Sequence, residues 1–433
     1  MNITPSTCEE KQIKSIKTTP LLNYQNKLYV VQSIVYLEDN SNAYKLIEEP
    51  LNSNSLLPPL SFVDNLLFKK GIAIIDSIQS GKGANLRGAF YENVIFPILT
   101  LLNNGKNTEN LIKYKYFKTT SSDSMKYFAR RIISSKKHEG DLSSPEKTVL
   151  ILSGDTSISE FLNNLPPDQT PLKQLNILPI PLGTANAWCN CILKTNNPTT
   201  VFQNFLYNEY RPSTDQIPLY KVIFPGGDYI FMFIIFSMGF HANLLSLTTN
   251  DEKYKHLGIE RFKLASKDIL DHYDLNISIK IGGADKFCNY SYFALLNLPK
   301  LEENYTPSPI SNPLISSLQL LGYKSSLLKK GNGLIDAILN GYNTNPNEIK
   351  NFLSNTEGVV TKSFNKDFDI EVDLPDNDKH TKFEACVDGY LFNYKNFQSK
   401  EKKDDTKYVI AFKFNENPWK SKYKVCVYCT SIF

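Results

Sequence analysis

The chain has 433 residues, of which 41% are hydrophobic and 12% aromatic, and its formal net charge is +4. This length exceeds one ordinary hydrophobic core and indicates two domains, while the hydrophobic content excludes a disordered chain. The small net charge gives no support for nucleic-acid binding, although it permits contact with an anionic membrane surface.

The seven cysteines are scattered and odd in number, which indicates core thiols in a reducing compartment rather than disulfides or a metal site. The start of the chain, MNITPSTCEEKQIK, lacks the apolar segment of a secretory signal. The longest apolar run, YIFMFIIFSMGF (229–240), is too short to span a bilayer. We therefore expect a cytoplasmic protein that is soluble or peripherally associated with a membrane.

The first two segments of the chain differ in pattern. Residues 1–64 combine a polar start, a few strand-like residues (KLYVVQSIVYL) and a Ser-, Asn-, Leu- and Pro-rich loop, which predicts an extension and linker. Residues 65–210 alternate between apolar strands and helices, with strands predicted in KGIAIID, YKYFKT, KTVLILSG and LNILPIPLG. Four successive βα units predict a parallel sheet with helices on both faces, a Rossmann-like α/β domain.

Residues 211–433 contain short strands separated by turn residues, ending in the alternating segment KYKVCVYC. This pattern predicts an antiparallel β-sandwich. A helical insert is predicted at 251–272. The predicted fold class is therefore an α/β domain followed by an antiparallel β domain.

Three predicted parallel strands end in turns suited to phosphate. These turns are QSGKG (79–83), SGDTS (153–157) and LGTAN (182–186). Taken alone, SGDTS is more typical of a helix cap, because Asp, Thr and Ser accept backbone N–H bonds. The carboxyl ends of parallel strands share one sheet edge, however, and each turn offers a glycine and a helix N-terminus. Together they predict a nucleotide or phosphate site.

Two familiar phosphate motifs do not match the first of these turns. Lys82 is followed by Gly83 rather than Ser or Thr, which excludes a Walker A motif. Leu86 stands where the dinucleotide-binding fingerprint needs its last glycine.

Read together, the motifs resemble the catalytic domain shared by diacylglycerol kinases, ceramide kinases and sphingoid long-chain-base kinases. SGDTS stands where that family has G-G-D-G-T, and PLGTANA where it has P-x-G-[TS]-x-N-[AD]. GFHAN resembles G-F-[IV]-A-D, GNGLIDAIL resembles D-G-L-[LI]-D, and ACVDGYLF resembles V-D-G-E. The run EKYKHLGIERF is similar to the sphingosine-kinase run E-K-Y-R-x-L-G-E-x-R-F. The resemblance extends from about 68 to 433.

The resemblance implies an ATP-dependent lipid kinase that uses Mg²⁺, with its active site in the cleft between the two domains. It places Asp155 at the position of the general base, Asp388 near metal and nucleotide, and Asn243 and Leu245 at the lipid. The nucleotide-binding positions that it implies are Ser80, Gly81, Lys82, Gly83, Ser153, Gly154, Thr156, Gly183, Thr184, Asn186, Lys255, Arg261 and Asp388.

Several positions depart from the family pattern. Ser153 and Thr156 replace glycines, and Tyr390 replaces the glutamate of D-G-E. Asn243 and Leu245 stand where sphingosine kinases have acidic residues, and leucine cannot pair with an ammonium group. The predicted acceptor is a sphingoid long-chain base. The alternative acceptor is diacylglycerol or ceramide. The alternative function is that of a kinase-like protein that binds nucleotide or lipid without turnover. The EKYKHLGIERF run argues against an NAD kinase.

Overall fold

The fold was analysed in a computed structural model. The structure describes residues 12–37, 42–51, 57–60, 71–77, 90–104, 106, 111–134, 145–167, 172–255, 257, 260–328, 333–373, 384–393, 407–419 and 422–430. No helix in these ranges is both long and apolar enough to cross a membrane.

The N-terminal segment contains an antiparallel three-stranded sheet. Its strands are β1 (Ile13–Tyr24), β2 (Lys27–Tyr36) and β3 (Asn42–Pro50), in the order β1-β2-β3. Only a few strand residues were expected here, because the first seven residues of β1 are all polar or exposed and give little hydrophobic alternation. This segment is thus a folded element in the part predicted as extension and linker.

The next part of the chain forms a parallel sheet with helices. Its strands are β4 (Gly71–Asp76), β5 (Tyr114–Lys118), β6 (Glu146–Ser153) and β7 (Gln174–Pro181). The helices are α1 (Phe96–Asn103), which continues a π-helical turn at Tyr91–Ile95, α2 (Ser124–Ser134), α3 (Asp155–Asn163), α4 (Ala187–Leu193) and α5 (Pro198–Leu206). The strand order is β5-β4-β6-β7.

This arrangement confirms the predicted α/β domain with a parallel sheet. β4 is buried throughout, and β6 and β7 are buried after their first residue, as expected when helices cover both faces of a sheet. Counted along the chain, the parallel strands run 2-1-3-4, which is the flavodoxin-like order of doubly wound sheets rather than the Rossmann order. The Rossmann-like description is therefore too specific.

The N-terminal sheet packs against this domain through α5. The Tyr207 hydroxyl, just after α5, accepts a hydrogen bond from the Asn23 backbone N–H (2.9 Å). Gln203 on α5 donates to the carbonyl of Pro20 (2.7 Å). The β1–β3 sheet is therefore anchored to the α/β domain.

The second domain is one large antiparallel sheet. Its strands are β9 (Tyr220–Ile223), β10 (Tyr229–Met232), β11 (Ile235–Gly239), β12 (Ile277–Ile281), β13 (Cys288–Leu296), β14 (Leu318–Lys324), β15 (Val359–Phe364), β16 (Phe368–Asp373), β17 (Glu384–Val387), β18 (Tyr390–Asn393) and β19 (Lys407–Phe414). The order is β10-β9-β19-β16-β12-β13-β11-β17-β18, and β14 joins β13 to β15. The antiparallel character is confirmed, but a continuous branched sheet curls around its core instead of forming two separate sheets.

Helices of the second domain lie between these strands. They are α6 (Phe240–Asn250), α7 (Glu252–Lys255), α8 (Glu260–His272), α9 (Gly333–Leu339) and α10 (Pro346–Asn355). α6 packs against β11, β13 and β17, and α7 and α8 occupy the predicted helical insert.

The last strand joins the first domain. β20 (Lys424–Thr430) pairs in parallel with β7 and antiparallel with β8 (Tyr210–Pro212). The prediction that it belongs to the antiparallel domain was wrong. Its alternating sequence indicates a strand, but Val425 to Cys429 are all buried between β7 and β8, and a local pattern does not specify which sheet a strand joins. The chain therefore crosses between the domains twice.

Candidate functional site

The candidate site begins at the turn between β6 and α3. Ser153 ends the strand, Gly154 is extended (φ −96°, ψ −178°), and Asp155 is the first residue of α3. The Asp155 carboxylate does not bond its own helix. Instead, Oδ2 accepts from the Ala187 N–H (2.7 Å) and Oδ1 from the Trp188 N–H (3.1 Å). Asp155 thus stabilises the start of α4 and is held in one orientation by it.

The second and third predicted turns touch each other. A β-carbon on Gly183 would lie 2.3 Å from Gly154 Cα and 2.9 Å from Gly154 N. Ordinary carbon contacts are about 3.5–4.0 Å, so no larger residue fits at this contact. Both glycines have negative φ, so close approach rather than backbone conformation requires them here.

Asn186 stabilises the third turn from inside. Its backbone is left-handed (φ 51°), and its side chain is 7% exposed. Oδ1 accepts from the Gly183 N–H (2.8 Å), and Nδ2 donates to the Gly183 carbonyl (3.0 Å). Because Asn186 is engaged in this way, it does not cap α4, and Asp155 supplies that function instead.

The electrostatics of Asp155 suit proton transfer near neutral pH. Burial raises its pKa to about 6, and the Ala187 and Trp188 N–H groups oppose that rise by stabilising the carboxylate. Asp155 as a whole residue is intermediate in exposure, between the buried Ser153 and the exposed Thr156. A carboxylate with a pKa near 6 is a stronger base than an ordinary aspartate and is still mostly ionised at pH 7.

Asp388 approaches this site from the second domain. It has a left-handed backbone (φ 48°) and is only 4% exposed. Its carboxylate accepts from three consecutive N–H groups in the β10–β11 segment, those of Phe233 (2.8 Å), Ile234 (3.0 Å) and Ile235 (2.8 Å). Burial raises the pKa of Asp388 to about 7, the three backbone bonds oppose the rise, and the charge of Asp155 adds to it. The two carboxylates are therefore electrostatic neighbours.

The three backbone N–H groups that bond Asp388 also determine whether this carboxylate can bind the predicted magnesium ion. Mg²⁺ needs open carboxylate oxygens, and those of Asp388 are enclosed and already bonded to the backbone. Within the described ranges, no three His, Cys, Asp or Glu side chains form a potential metal-binding group. The described residues thus do not fit a magnesium ion at Asp388, although one was predicted there; the carboxylate braces the β10–β11 segment instead.

The two domains meet around Asp155. Gly389 (φ +92°) is so close to the α3 turn that a β-carbon there would lie 2.8 Å from the Thr156 hydroxyl. The Trp188 and Phe233 rings are edge to face, with centroids 5.0 Å apart. The surroundings of Asp155 therefore combine groups from both domains, and an active site at this boundary stays a prediction.

A second contact lies at the other end of α3. The Asn163 side chain bonds both backbone groups of Phe231, with Oδ1 accepting at 2.8 Å and Nδ2 donating at 2.9 Å. α3 thus contacts the second domain at both of its ends.

The other predicted nucleotide-binding residues stand as follows. Ser80, Gly81, Lys82 and Gly83 lie outside the described residues. Ser153 is buried and donates to the Gly154 carbonyl (2.9 Å), whereas Thr184 is exposed on the third turn.

The two basic residues predicted in the helical insert are not joined to Asp155 by any contact between described residues. Lys255 ends α7, and only its backbone is described. Arg261 is the second residue of α8; its guanidinium carbon lies 4.9 Å from the Phe262 ring centroid, and its Nε has no hydrogen-bond partner among the described residues. Their nucleotide-binding roles stay predictions.

The predicted lipid contacts lie on α6. Asn243 is 2% exposed and donates to the Gly239 carbonyl (3.0 Å), so its amide N–H is engaged within its own turn. Leu245 is partly exposed. Sequence reasoning missed Asn163, Trp188 and the bond between Ser237 and His241 (2.7 Å). The sequence carried no signal for these contacts: Asn186 is a residue type that caps helices, and its engagement with Gly183 is evident only in the structure.

Comparisons with solved structures show the fold. A structure from Bacillus anthracis str. Sterne, provisionally named a diacylglycerol kinase, has a TM-score of 0.50 at 12% identity, covering 83% of this chain and 97% of that chain. Another, named a diacylglycerol kinase from the same organism, has a TM-score of 0.48 at 14% identity, covering 79% and 94%. No family model matches the chain, and no curated protein matches it in sequence. The chain therefore shares a two-domain fold with the first structure.

Proposed function

We propose that this protein is an ATP-dependent lipid kinase, which transfers the γ-phosphoryl group of ATP to a lipid hydroxyl. The observation that supports this best is the position of Asp155. It is a carboxylate with a raised pKa, at the carboxyl edge of a parallel sheet, where two glycine turns meet and the second domain approaches. The shared fold with a structure provisionally named a diacylglycerol kinase agrees with it.

Asp155 would act as general base in this reaction. As the acceptor oxygen forms its bond to the γ-phosphorus, the bond to the ADP oxygen breaks and the hydroxyl proton moves to the Asp155 carboxylate. The Ala187 and Trp188 N–H groups fix the direction of that carboxylate, so little reorganisation is needed.

The acceptor remains a choice between two classes of lipid. The EKYKHLGIERF run supports a sphingoid long-chain base. The absence of a carboxylate at Asn243 and Leu245 supports an uncharged lipid such as diacylglycerol or ceramide. Either lipid resides in a bilayer, so we also propose peripheral membrane contact.

A second candidate function is nucleotide or lipid binding without turnover. It is supported by the enclosure of Asp388 and by the backbone donors already bound to both oxygens of Asp155. A carboxylate whose oxygens are bonded in this way can have a purely structural role.

Turnover assays distinguish these functions. The purified full chain is incubated with labelled ATP, MgCl₂ and mixed micelles of a sphingoid base, ceramide or diacylglycerol. We expect labelled lipid with at least one acceptor, and a loss of about 10²- to 10⁴-fold in Asp155→Asn. Asp215→Asn, at an exposed position, is the matched control.

Melting temperatures are measured in parallel because Asp155 also supports α4. Equal turnover by Asp155→Asn and the parent would exclude the base role. A parent that forms no product, but whose melting temperature rises with ATP, would establish the binding function.

A further inference from the structure

The Asn163 side chain joins the last turn of α3 to the edge of the second domain. β10 is the terminal strand in the order of the large antiparallel sheet, so one side of its backbone faces away from β9. Asn163 Oδ1 accepts from the Phe231 N–H (2.8 Å), and Nδ2 donates to the Phe231 carbonyl (2.9 Å). The amide therefore bonds β10 at a point where an interior strand would bond its neighbour.

The orientation of this amide is fixed by its partners. Besides Phe231, Nδ2 donates to the Ser159 carbonyl within α3 (3.0 Å). A backbone N–H only donates and a carbonyl only accepts, so these partners allow one placement of the amide oxygen and nitrogen. Because Phe231 is buried, loss of the Asn163 side chain would leave a buried N–H and a buried carbonyl without these bonds.

Asn163 shares one face of α3 with two other residues that meet the second domain. Thr156, Glu160 and Asn163 follow at intervals of four and three residues, a spacing that brings side chains to the same face of a helix. Thr156 lies at the close contact with Gly389. Burial raises the pKa of Tyr390, and the charge of Glu160 adds to the rise, so these two side chains are electrostatic neighbours. The interdomain face of α3 therefore runs along its whole length.

These contacts close a frame beside Asp155. The Asp388–Gly389 turn meets the first turn of α3 and bonds the N–H groups of residues 233–235. Asn163, the last residue of α3, bonds residue 231 just before them. α3, this turn and the segment 231–235 thus form a closed interdomain frame. Asp155 is the first residue of α3 in this frame, and α4 of the first domain holds its carboxylate.

Resting on the proposed kinase function, we infer that Asn163 is a positioning residue, through which the second domain holds α3 and so keeps the Asp155 carboxylate in its orientation. The nine residues of α3 span about 14 Å, and Asn163 secures the end far from Asp155. Without this bond α3 can tilt, which strains the bonds that Asp155 accepts from α4. The predicted lipid contacts lie on α6 of the second domain, so the same bond keeps the base aligned with that domain.

The kinetic test compares Asn163→Ala with Asn164→Ala in the full chain. Asn164 follows directly, and its Nδ2 donates to the Glu160 carbonyl of α3 (2.9 Å), so this control removes a similar bond that stays within the helix. Labelled transfer to the best acceptor among a sphingoid base, ceramide and diacylglycerol gives kcat and KM. We expect Asn163→Ala to lower kcat about 10- to 100-fold, as for a misplacement of about 1 Å, with the KM for ATP within about twofold of the parent. Asn164→Ala should retain both values.

Asn163→Asp decides the question if Asn163→Ala does not fold. It has nearly the same shape and keeps an acceptor for the Phe231 N–H, but its carboxylate cannot donate to the two carbonyls. We expect it to lower kcat as well. A folded Asn163 variant with the kcat of the parent and a lower melting temperature would mark a purely structural bond and overturn the inference. A KM for ATP that rises as much as kcat falls would also overturn it.

Hydrogen exchange measures the positioning without turnover. The Ala187 and Trp188 amides donate to Asp155, so their exchange reports whether this carboxylate stays in place. We expect both amides to exchange about 3- to 10-fold faster in Asn163→Ala, the range for weakening one hydrogen bond, and at the parent rate in Asn164→Ala. Unchanged exchange in Asn163→Ala would overturn the inference while leaving the kinase function untouched.

A parent that phosphorylates no lipid would overturn the proposed function instead. The exchange of the Ala187 and Trp188 amides then decides the role of Asn163 by itself. Faster exchange in Asn163→Ala alone supports the positioning of Asp155 through β10, and equal exchange in both variants excludes it.

Discussion

The contact between Gly154 and Gly183 offers a direct test of how the two turns depend on each other. In Gly183→Ala, the new methyl carbon would lie 2.3 Å from Gly154 Cα and 2.7 Å from Asn186 Oδ1. A normal carbon contact requires about 3.5 Å, so the turns must separate by roughly 1 Å. The move would displace Asp155, which directly follows Gly154.

The cost of this change has two parts. Overpacking of a tight contact destabilises by about 1–3 kcal/mol. Weakening the two bonds between Asn186 and Gly183 adds about 0.5–1.5 kcal/mol each. We therefore expect a loss of about 2–6 kcal/mol in the free energy of unfolding.

Urea unfolding measures this loss, with Gly283→Ala as the matched control. Gly283 has φ +81° and no atom within 4 Å of a β-carbon, so an alanine there meets backbone strain alone, about 1–2 kcal/mol. We expect only Gly183→Ala to abolish labelled phosphoryl transfer as well. Equal stability of the two variants, or full turnover in Gly183→Ala, would refute the steric argument.

Two further predictions concern the carboxylates. Because burial raises the pKa of Asp155 from 3.8 to about 6, this group stabilises the fold below pH 4, and the stabilisation, about 3 kcal/mol, is lost as the pH rises through 6. Relative to Asp155→Asn, the parent should lose about that amount in urea-derived stability between pH 4 and pH 7.5, while its kcat/KM rises; a constant difference would exclude the shifted pKa. Asp388→Ala would leave the N–H groups of Phe233, Ile234 and Ile235 without their acceptor, at about 1–3 kcal/mol each before relaxation. Chemical denaturation should show a loss of at least about 3 kcal/mol, smaller in Asp388→Asn, and a loss below 1 kcal/mol would contradict the bracing role.

The parallel sheet could be predicted because its strands are buried on both faces. KGIAIID, KTVLILSG and LNILPIPLG are continuous apolar runs that each end in a small-residue turn, and they became β4, β6 and β7. The geometry of parallel strands also predicted that the second and third turns lie at the same sheet edge. Local burial and backbone preference were sufficient for these features.

Other features depend on partners far away in the chain. The segment KYKVCVYC has the alternation of a strand in either domain, and only its pairing with β7 and β8 assigns it to the first sheet. In the N-terminal segment, the strand-like run KLYVVQSIVYL became β2, whereas β1 and β3 were not predicted. β1 begins with seven residues that are polar or exposed, so its local pattern is weak, although Leu21 and Leu22 beside the contact with α5 are fully buried.

The sequence by itself determined the identity and spacing of the turns, including a carboxylate at Asp155 and glycines at 154 and 183. Only the tertiary structure decided what these groups contact. Asp155 accepts bonds from residues 32 and 33 positions away, and Asp388 from residues more than 150 positions away. Such partners are set by how the sheets and helices pack, and not by the residues adjacent in the chain. Packing therefore turned a probable helix cap into a carboxylate at the meeting point of two domains.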